Sequence, residues 1–360
     1  MSDLAIGLLS AVLATNQPQA ISNVIQQQTG IVVPVEKNDP TENELRLVMM
    51  SDDAAQADVS AWMSTNTISP TNAIARAAFH ERIMTRFDEV KSQYQHFLRN
   101  HPDNAHGYLA YGSFLNDIGD EDGAQVQYEN SKQLDPKNPA VWNNLANYYG
   151  EHGPLTNAFV YYAEAIRLNP NEPVYYQNFA TTVYLYRTDV KSFYHLNEQQ
   201  TFDKALGLYK QAMKLAPEDF LLSCDYAMSY YGIKPLRTND ALLAWTNSLN
   251  LAHNENERQG VLIHLARVKI AAGFYDDAQT TLNAVTNTDF ALMRKQQERS
   301  LADHENPPPE TPEIAVTNRV VVPTNALRTP INPMSNPAVE LPNGSGLMIA
   351  PPVLRTEKPQ

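Results

Sequence analysis

A single cysteine, Cys224, among 360 residues excludes an internal disulfide framework and a cysteine-based zinc cluster. It reads as a small apolar helix residue rather than a reactive thiol. Basic residues are also scarce. Against 40 Asp and Glu stand 27 Lys and Arg, a net charge of −13. Phosphate binding needs clustered Lys and Arg, so nucleic acid is not an expected partner. No long hydrophobic run is present either. The apolar stretch 4–14 (LAIGLLSAVLA) falls short of the roughly 20 residues a bilayer span needs.

Catalytic fingerprints are missing as well. The chain holds no HExxH, no GxSxG, no P-loop and no dinucleotide glycine pattern. Its histidines are scattered. His96, His101 and His106 stand five apart, a spacing that does not align them on one helix face. The acidic run 117–123 (DIGDEDG) lacks the ligand spacing and distal Glu of a calcium loop, and Asp with Gly favours a turn and a helix cap. These absences predict a protein that is not an enzyme, with no cofactor, no bound metal and no catalytic residues.

What the chain does contain is a repeat. Residues 105–138 and 139–172 are two 34-residue units, AHGYLAYGSFLNDIGDEDGAQVQYENSKQLDPKN and PAVWNNLANYYGEHGPLTNAFVYYAEAIRLNPNE. Tyr108 aligns with Trp142, Tyr111 with Leu145, Gly112 with Ala146, Ala124 with Ala158, Tyr128 with Tyr162, and Pro136 with Pro170. Six matching columns at one period make a repeat. Small residues at positions 8 and 20 let two helices approach closely, and large residues at 4, 7, 11 and 24 fill the space around that contact. Pro at 32 stops the second helix. One such unit cannot bury its apolar face alone, so neighbours must stack.

These columns resemble the tetratricopeptide repeat. The resemblance implies an all-α fold, a tetratricopeptide-type helical-hairpin solenoid. Stretches such as YGSFLNDIGDE and YYGIKPLRTNDA are also similar to a group of bacterial repeat proteins without an assigned activity. The frame predicts about six units over 71–292. The first, at 71–104, is degenerate: Tyr94, Phe97 and Pro102 fit its second helix, while Glu81 stands where an aromatic belongs. A further unit opens at Pro173, with Tyr176, Phe179, Ala180 and Val183 in register, but its Ala marker arrives only at Ala205. About 13 extra residues therefore lie within 185–202, read as a longer first helix plus a loop. Tyr226, Ala227 and Tyr230 mark the next unit, where two extra turn residues shift Ala241 and Trp245. Leu262, Leu265, Ala266, Ala278, Leu282 and Val285 mark the last, and 290–304 reads as a polar closing helix.

The flanks differ in character. Residues 1–30 predict two short amphipathic helices broken at Gln17-Pro18, and 31–70 a linker followed by a helical flank. That flank carries Leu45, Val48, Met49, Val59, Trp62 and Met63, with a helix start at Ser51-Asp52-Asp53. The first basic residue is Lys37, and Asp3 stands where a secretory signal has positive charge. The expected location is therefore cytoplasmic, the alternative being export with 12–14 (VLA) as the cleavage site. From residue 305 onward lie half of the 24 prolines, without helical period, which predicts a disordered Pro-rich tail.

With no chemistry indicated, function falls to a surface. In proteins of the resembled family the first helix of each repeat lines a concave groove through positions 2, 5, 9 and 12, with help from 6. The resemblance assigns to that groove Asn143, Asn144, Asn147, Gln177, Asn178, Thr181 and Tyr184, with His106, Ser113 and Asn116 from the preceding unit. Side-chain amides offer donors and acceptors that suit an extended peptide backbone. Asn144 and Asn178, both at position 6, resemble rungs of the asparagine ladder of O-linked N-acetylglucosaminyl transferase, though Ala110, Asp225 and His264 break the series. The Lys and Arg of the chaperone-binding carboxylate clamp are missing from the equivalent places. The expected function is a non-catalytic scaffold that binds a protein or extended peptide. The alternative is a self-associating spacer, a homo-oligomer assembled through the N-terminal helices.

Overall fold

A computed structural model describes residues 39–65 and 72–305. The N-terminal helix pair expected within 1–30, most of the linker at 31–38 and the Pro-rich tail beyond 305 lie outside the described residues. The fourteen described helices fall into two compact units, one reaching residue 196 and the other starting at 197. Among the described residues there is no strand, and no helix is long and apolar enough to cross a membrane.

Unit 1 begins with α1 (Pro40–Ser64) and α2 (Ala73–Asn100). Asp39 caps α1 by accepting from the Thr41 backbone N–H, and Pro40 fills the first turn where a missing N–H costs nothing. α1 does not restart at Ser51-Asp52-Asp53. It runs straight through, because Asp52 is buried and accepts a hydrogen bond from the Tyr94 hydroxyl of α2 at 3.2 Å. The degenerate repeat expected at 71–104 also proves different. Its middle, TRFD at 85–88, offers no Gly, Pro or Asn to turn the chain, so α2 continues as one 28-residue helix. The leading hairpin is therefore α1 with α2. Val90, Tyr94 and Phe97 of α2 pack with Leu45, Ala55 and Val59 of α1 in one core that extends into the next helices.

The two clean repeats follow as α3 (Ala105–Asp117) with α4 (Glu121–Leu134), and α5 (Pro139–His152) with α6 (Leu155–Leu168). Asn104, Asp120 and Asn138 cap α3, α4 and α5 through backbone N–H groups. Asp120 thus serves as the turn-and-cap residue of the acidic run, and it also pairs with Lys91 at 3.3 Å. The small residues Ala124, Ala146 and Ala158 are buried at the helix crossings. At Gly112 a Cβ would lie 2.6 Å from the Tyr128 ring, so the first clean crossing is closer than the second, which has room for Ala146.

Unit 1 ends with α7 (Pro173–Leu185) and α8 (Arg187–Tyr194). α8 is the insert. It is a separate helix rather than an extension of α7 plus a loop. Val190 is fully buried, and Phe193 and Tyr194 pack on Phe159 of α6 with ring centroids 5.3 and 5.9 Å apart. His195, at φ 55°, closes α8 in the left-handed conformation.

Unit 2 opens with α9 (Glu198–Leu215), started by a capping box of Asn197 and Gln200. Then come α10 (Phe220–Met228), a 3₁₀ turn at Ser229–Gly232, and α11 (Thr238–Leu251). α12 (Glu255–Ala271) and α13 (Tyr275–Asn283) form the last hairpin, followed by α14 (Ala291–Glu305). The shifted markers Ala241 and Trp245 are both fully buried, as are Ala205, Tyr209, Ala266 and Ala278. Cys224 is buried in α10, and burial pushes its thiol up to about 12, which keeps it protonated and unreactive.

Candidate functional site

The expected groove residues come from α5 and α7, the first helices of adjacent repeats. Both helices start on Pro at the first turn, so the 3.6-residue period places positions 5, 6, 9 and 12 of each repeat along one face. In α5 these include Asn143, Asn144 and Asn147. In α7 they are Gln177, Asn178, Thr181 and Tyr184.

The structure brings the amides into one row. Asn178 Nδ2 donates to Asn143 Oδ1 at 3.1 Å, and Asn143 Nδ2 donates to Asn144 Oδ1 at 3.2 Å. One turn further along, the Tyr162 hydroxyl donates to Asn147 Oδ1 at 2.8 Å and accepts from Thr182 Oγ1 at 3.2 Å. Burial pushes the Tyr162 phenol well above its usual range, which marks this corner as poorly solvated.

Their exposure departs from the sequence reading. Asn143, Asn144, Asn147, Gln177, Asn178 and Thr181 are at 5% or less, and Tyr184 is half-buried. A side chain that reaches its neighbour's amide at 3.1 Å leaves no room for water between them. Buried amides hold their place by being hydrogen-bonded, and their strict geometry fixes how α7 lies on α5.

The preceding repeat contributes less uniformly. Ser113 is buried and Asn116 half-buried. His106 is exposed but turned to α1, its Nδ1 lying 3.4 Å from Glu42 Oε2. Glu42 also accepts from Asn104 Nδ2 at 3.0 Å, and Glu44 meets His101 Nε2 at 3.0 Å. Two of the three evenly spaced histidines thus fasten the first inter-repeat turn to α1. Sequence reasoning missed this clasp because its partners lie 57 to 64 residues apart with no shared period.

Among the described residues the group able to offer three metal-ligand atoms is Glu121, Glu151 and His152, at the turn end of α5, with those atoms within 4.8 Å of one another. His152 Nε2 already pairs with Glu121 at 2.9 Å, and its Nδ1 contacts the Tyr148 carbonyl at 3.1 Å.

Comparison with known proteins adds to this geometry. Residues 139–172 match the tetratricopeptide repeat family model, with the same bounds as the second 34-residue unit. No curated protein matches the sequence. Solved structures similar to the chain include MamA, at 18% identity and TM-score 0.39, covering 58% of this chain and 92% of that one. YrrB, described as a TPR protein with an unusual peptide-binding site, is 12% identical with TM-score 0.43, covering 57% and 97%. PilW, described as a widely conserved type IV pilus biogenesis factor, is 13% identical with TM-score 0.47, covering 69% and 92%.

Proposed function

We propose that this tetratricopeptide-repeat protein is a non-catalytic scaffold that grips an extended peptide on the α5–α7 face of unit 1. Asn143, Asn144, Asn147, Gln177, Asn178 and Thr181 lie beneath that face and hold its shape, and Tyr184 stands half-buried at its edge. The repeat fold points to a protein partner. The observation that carries the finer reading is the amide row Asn178–Asn143–Asn144. Mutual hydrogen bonding beneath the surface fixes how α7 lies on α5, so a partner meets a face whose shape is set before it binds. The row is neutral, so it holds that shape without adding charge to the face. Tyr184, half-buried at the C-terminal end of α7, supplies a flat amphipathic edge of the kind that anchors peptides.

The test is a selection of random dodecapeptides on the immobilised full-length chain, followed by affinity measurements on two variants. Tyr184→Ala alters the proposed edge without opening the amide row, and Val160→Ala alters an exposed residue on α6. Selected peptides are expected to lose about tenfold in affinity, about 1.4 kcal/mol, for Tyr184→Ala and nothing for Val160→Ala. The opposite pattern would remove the face from consideration.

A further inference from the structure

Unit 2 contains a cavity of about 390 Å³ between α12 and α14, at the small end of the range that ligand sites occupy. α12 contributes Ile263, His264 and Arg267, and α14 contributes Gln296, Gln297 and Ser300. Counting from Gln259 as position 1, His264 stands at position 6 and Arg267 at position 9, the columns held by Asn144 and Asn147 in the 139–172 repeat. The helix expected merely to close the stack thus forms a polar wall facing those columns. Among the described residues no Asp or Glu lines the cavity, in a chain whose net charge is −13.

The donors here are held firmly. The His264 ring lies parallel on Trp245, with centroids 4.4 Å apart and planes at 3°. Its Nδ1 is 2.9 Å from the Tyr231 hydroxyl, which is 3.5 Å from the His264 carbonyl. Assigning the hydroxyl proton to the nearer atom, Nδ1, leaves the imidazole's own proton on Nε2. The Arg267 guanidinium sits over the Tyr231 ring, 4.1 Å from its centroid. Stacking fixes the guanidinium plane and leaves its N–H edge for a partner. Elsewhere in unit 2, Arg237 meets Asp203 at 2.6 Å and Arg294 meets Glu298 at 2.8 Å. Arg267 has no such carboxylate among the described residues. Burial, and then the charge of Arg267, hold His264 down at about 4.

We propose that this cavity receives a carboxylate, held by the Arg267 guanidinium and hydrogen-bonded by His264 Nε2 and the side-chain amides of Gln296 and Gln297. A guanidinium fork matches the two oxygens of a carboxylate. One arginine beside neutral donors balances a single negative charge, whereas a phosphate dianion would bring a second into an acidic protein. The carboxylate comes either from an acidic peptide or from a free organic acid.

Trp245 reports on the site once Trp62→Phe and Trp142→Phe leave it as the sole indole. The full-length chain carrying these two changes is titrated with butyrate, with capped Gly-Glu-Gly, with capped Gly-Gln-Gly and with inorganic phosphate. Saturable fluorescence changes are expected for the butyrate or Gly-Glu-Gly arm, whichever source applies, and none for Gly-Gln-Gly. Arg267→Gln is expected to weaken that binding at least about tenfold. Arg267→Lys, which keeps the charge but loses the fork, should fall between. Far-UV circular dichroism checks that each variant is folded. The proposal is overturned if Gly-Gln-Gly binds as well as Gly-Glu-Gly, if phosphate binds more tightly than either carboxylate, if no carboxylate binds, or if folded Arg267→Gln binds unchanged.

Discussion

Asn178 on α7 donates to Asn143 on α5 across 3.1 Å, tying position 6 of one repeat to position 5 of the repeat before it. Both side chains are fully buried. Removing either leaves its partner short of a bond in a place water does not reach, which costs about 1–3 kcal/mol. Urea denaturation of Asn178→Ala and Asn143→Ala is expected to show losses of that size, with the double variant losing less than their sum. Strictly additive losses would mean that the two amides are energetically independent.

Gly112 marks a close helix crossing. Its missing Cβ would stand 2.6 Å from two carbons of the buried Tyr128 ring. Gly112→Ala improves helix propensity by up to about 1 kcal/mol, while forcing the ring aside costs typically about 1–3 kcal/mol. A lower melting temperature is expected by calorimetry. A higher one would show that Tyr128 yields easily.

Tyr94 donates to the buried Asp52 carboxylate at 3.2 Å, linking α2 to α1. Burial first, and then the Asp52 charge, push the Tyr94 phenol far above its usual range, so it stays a donor at any physiological pH. Hydrogen bonds to charged groups contribute about 1.5–3 kcal/mol. Tyr94→Phe is therefore expected to destabilise unit 1 by that order in thermal melts. An unchanged melt would mean that Asp52 does not depend on this bond.

His264 makes unit 2 sensitive to acid. Its folded value of about 4 lies below the ordinary imidazole value of 6.5, so between those two pH values the unfolded chain binds the extra proton. Stability accordingly rises with pH through this window and is lost as pH falls from 6.5 toward 4. The full effect is on the order of 3 kcal/mol. Denaturant midpoints measured from pH 7 to 4.5 should fall less steeply for His264→Gln than for the parent chain. Parallel slopes would contradict the assignment.

The repeat columns were legible because each answers to one local requirement. Ala146 and Ala158 permit a close crossing, Tyr162 fills it and Pro170 ends it, all within 34 residues. The insert was visible as a register gap, yet not as a helix, since α8 has only eight residues and rests on Phe159 of an earlier repeat. The errors at Asp52 and over 71–104 share a cause. A short polar run reads as a cap when its partner, here Tyr94, lies 42 residues away, and a repeat frame projected backward assumes a turn that TRFD cannot make. At the site, the repeat period placed the amides along a shared face of α5 and of α7. Their burial was not legible, because position 6 meets position 5 of the preceding repeat only once the helices are stacked.

The most direct measurement of the central claim is site-specific photo-crosslinking of the full-length chain in cells. A photoreactive residue replaces Tyr184 in one strain and Val160 in another. The α5–α7 face as peptide groove predicts a discrete crosslinked partner from position 184, mapped by mass spectrometry to one extended segment, and none from position 160. Crosslinks from 160 alone, or equal scatter from both, would contradict it.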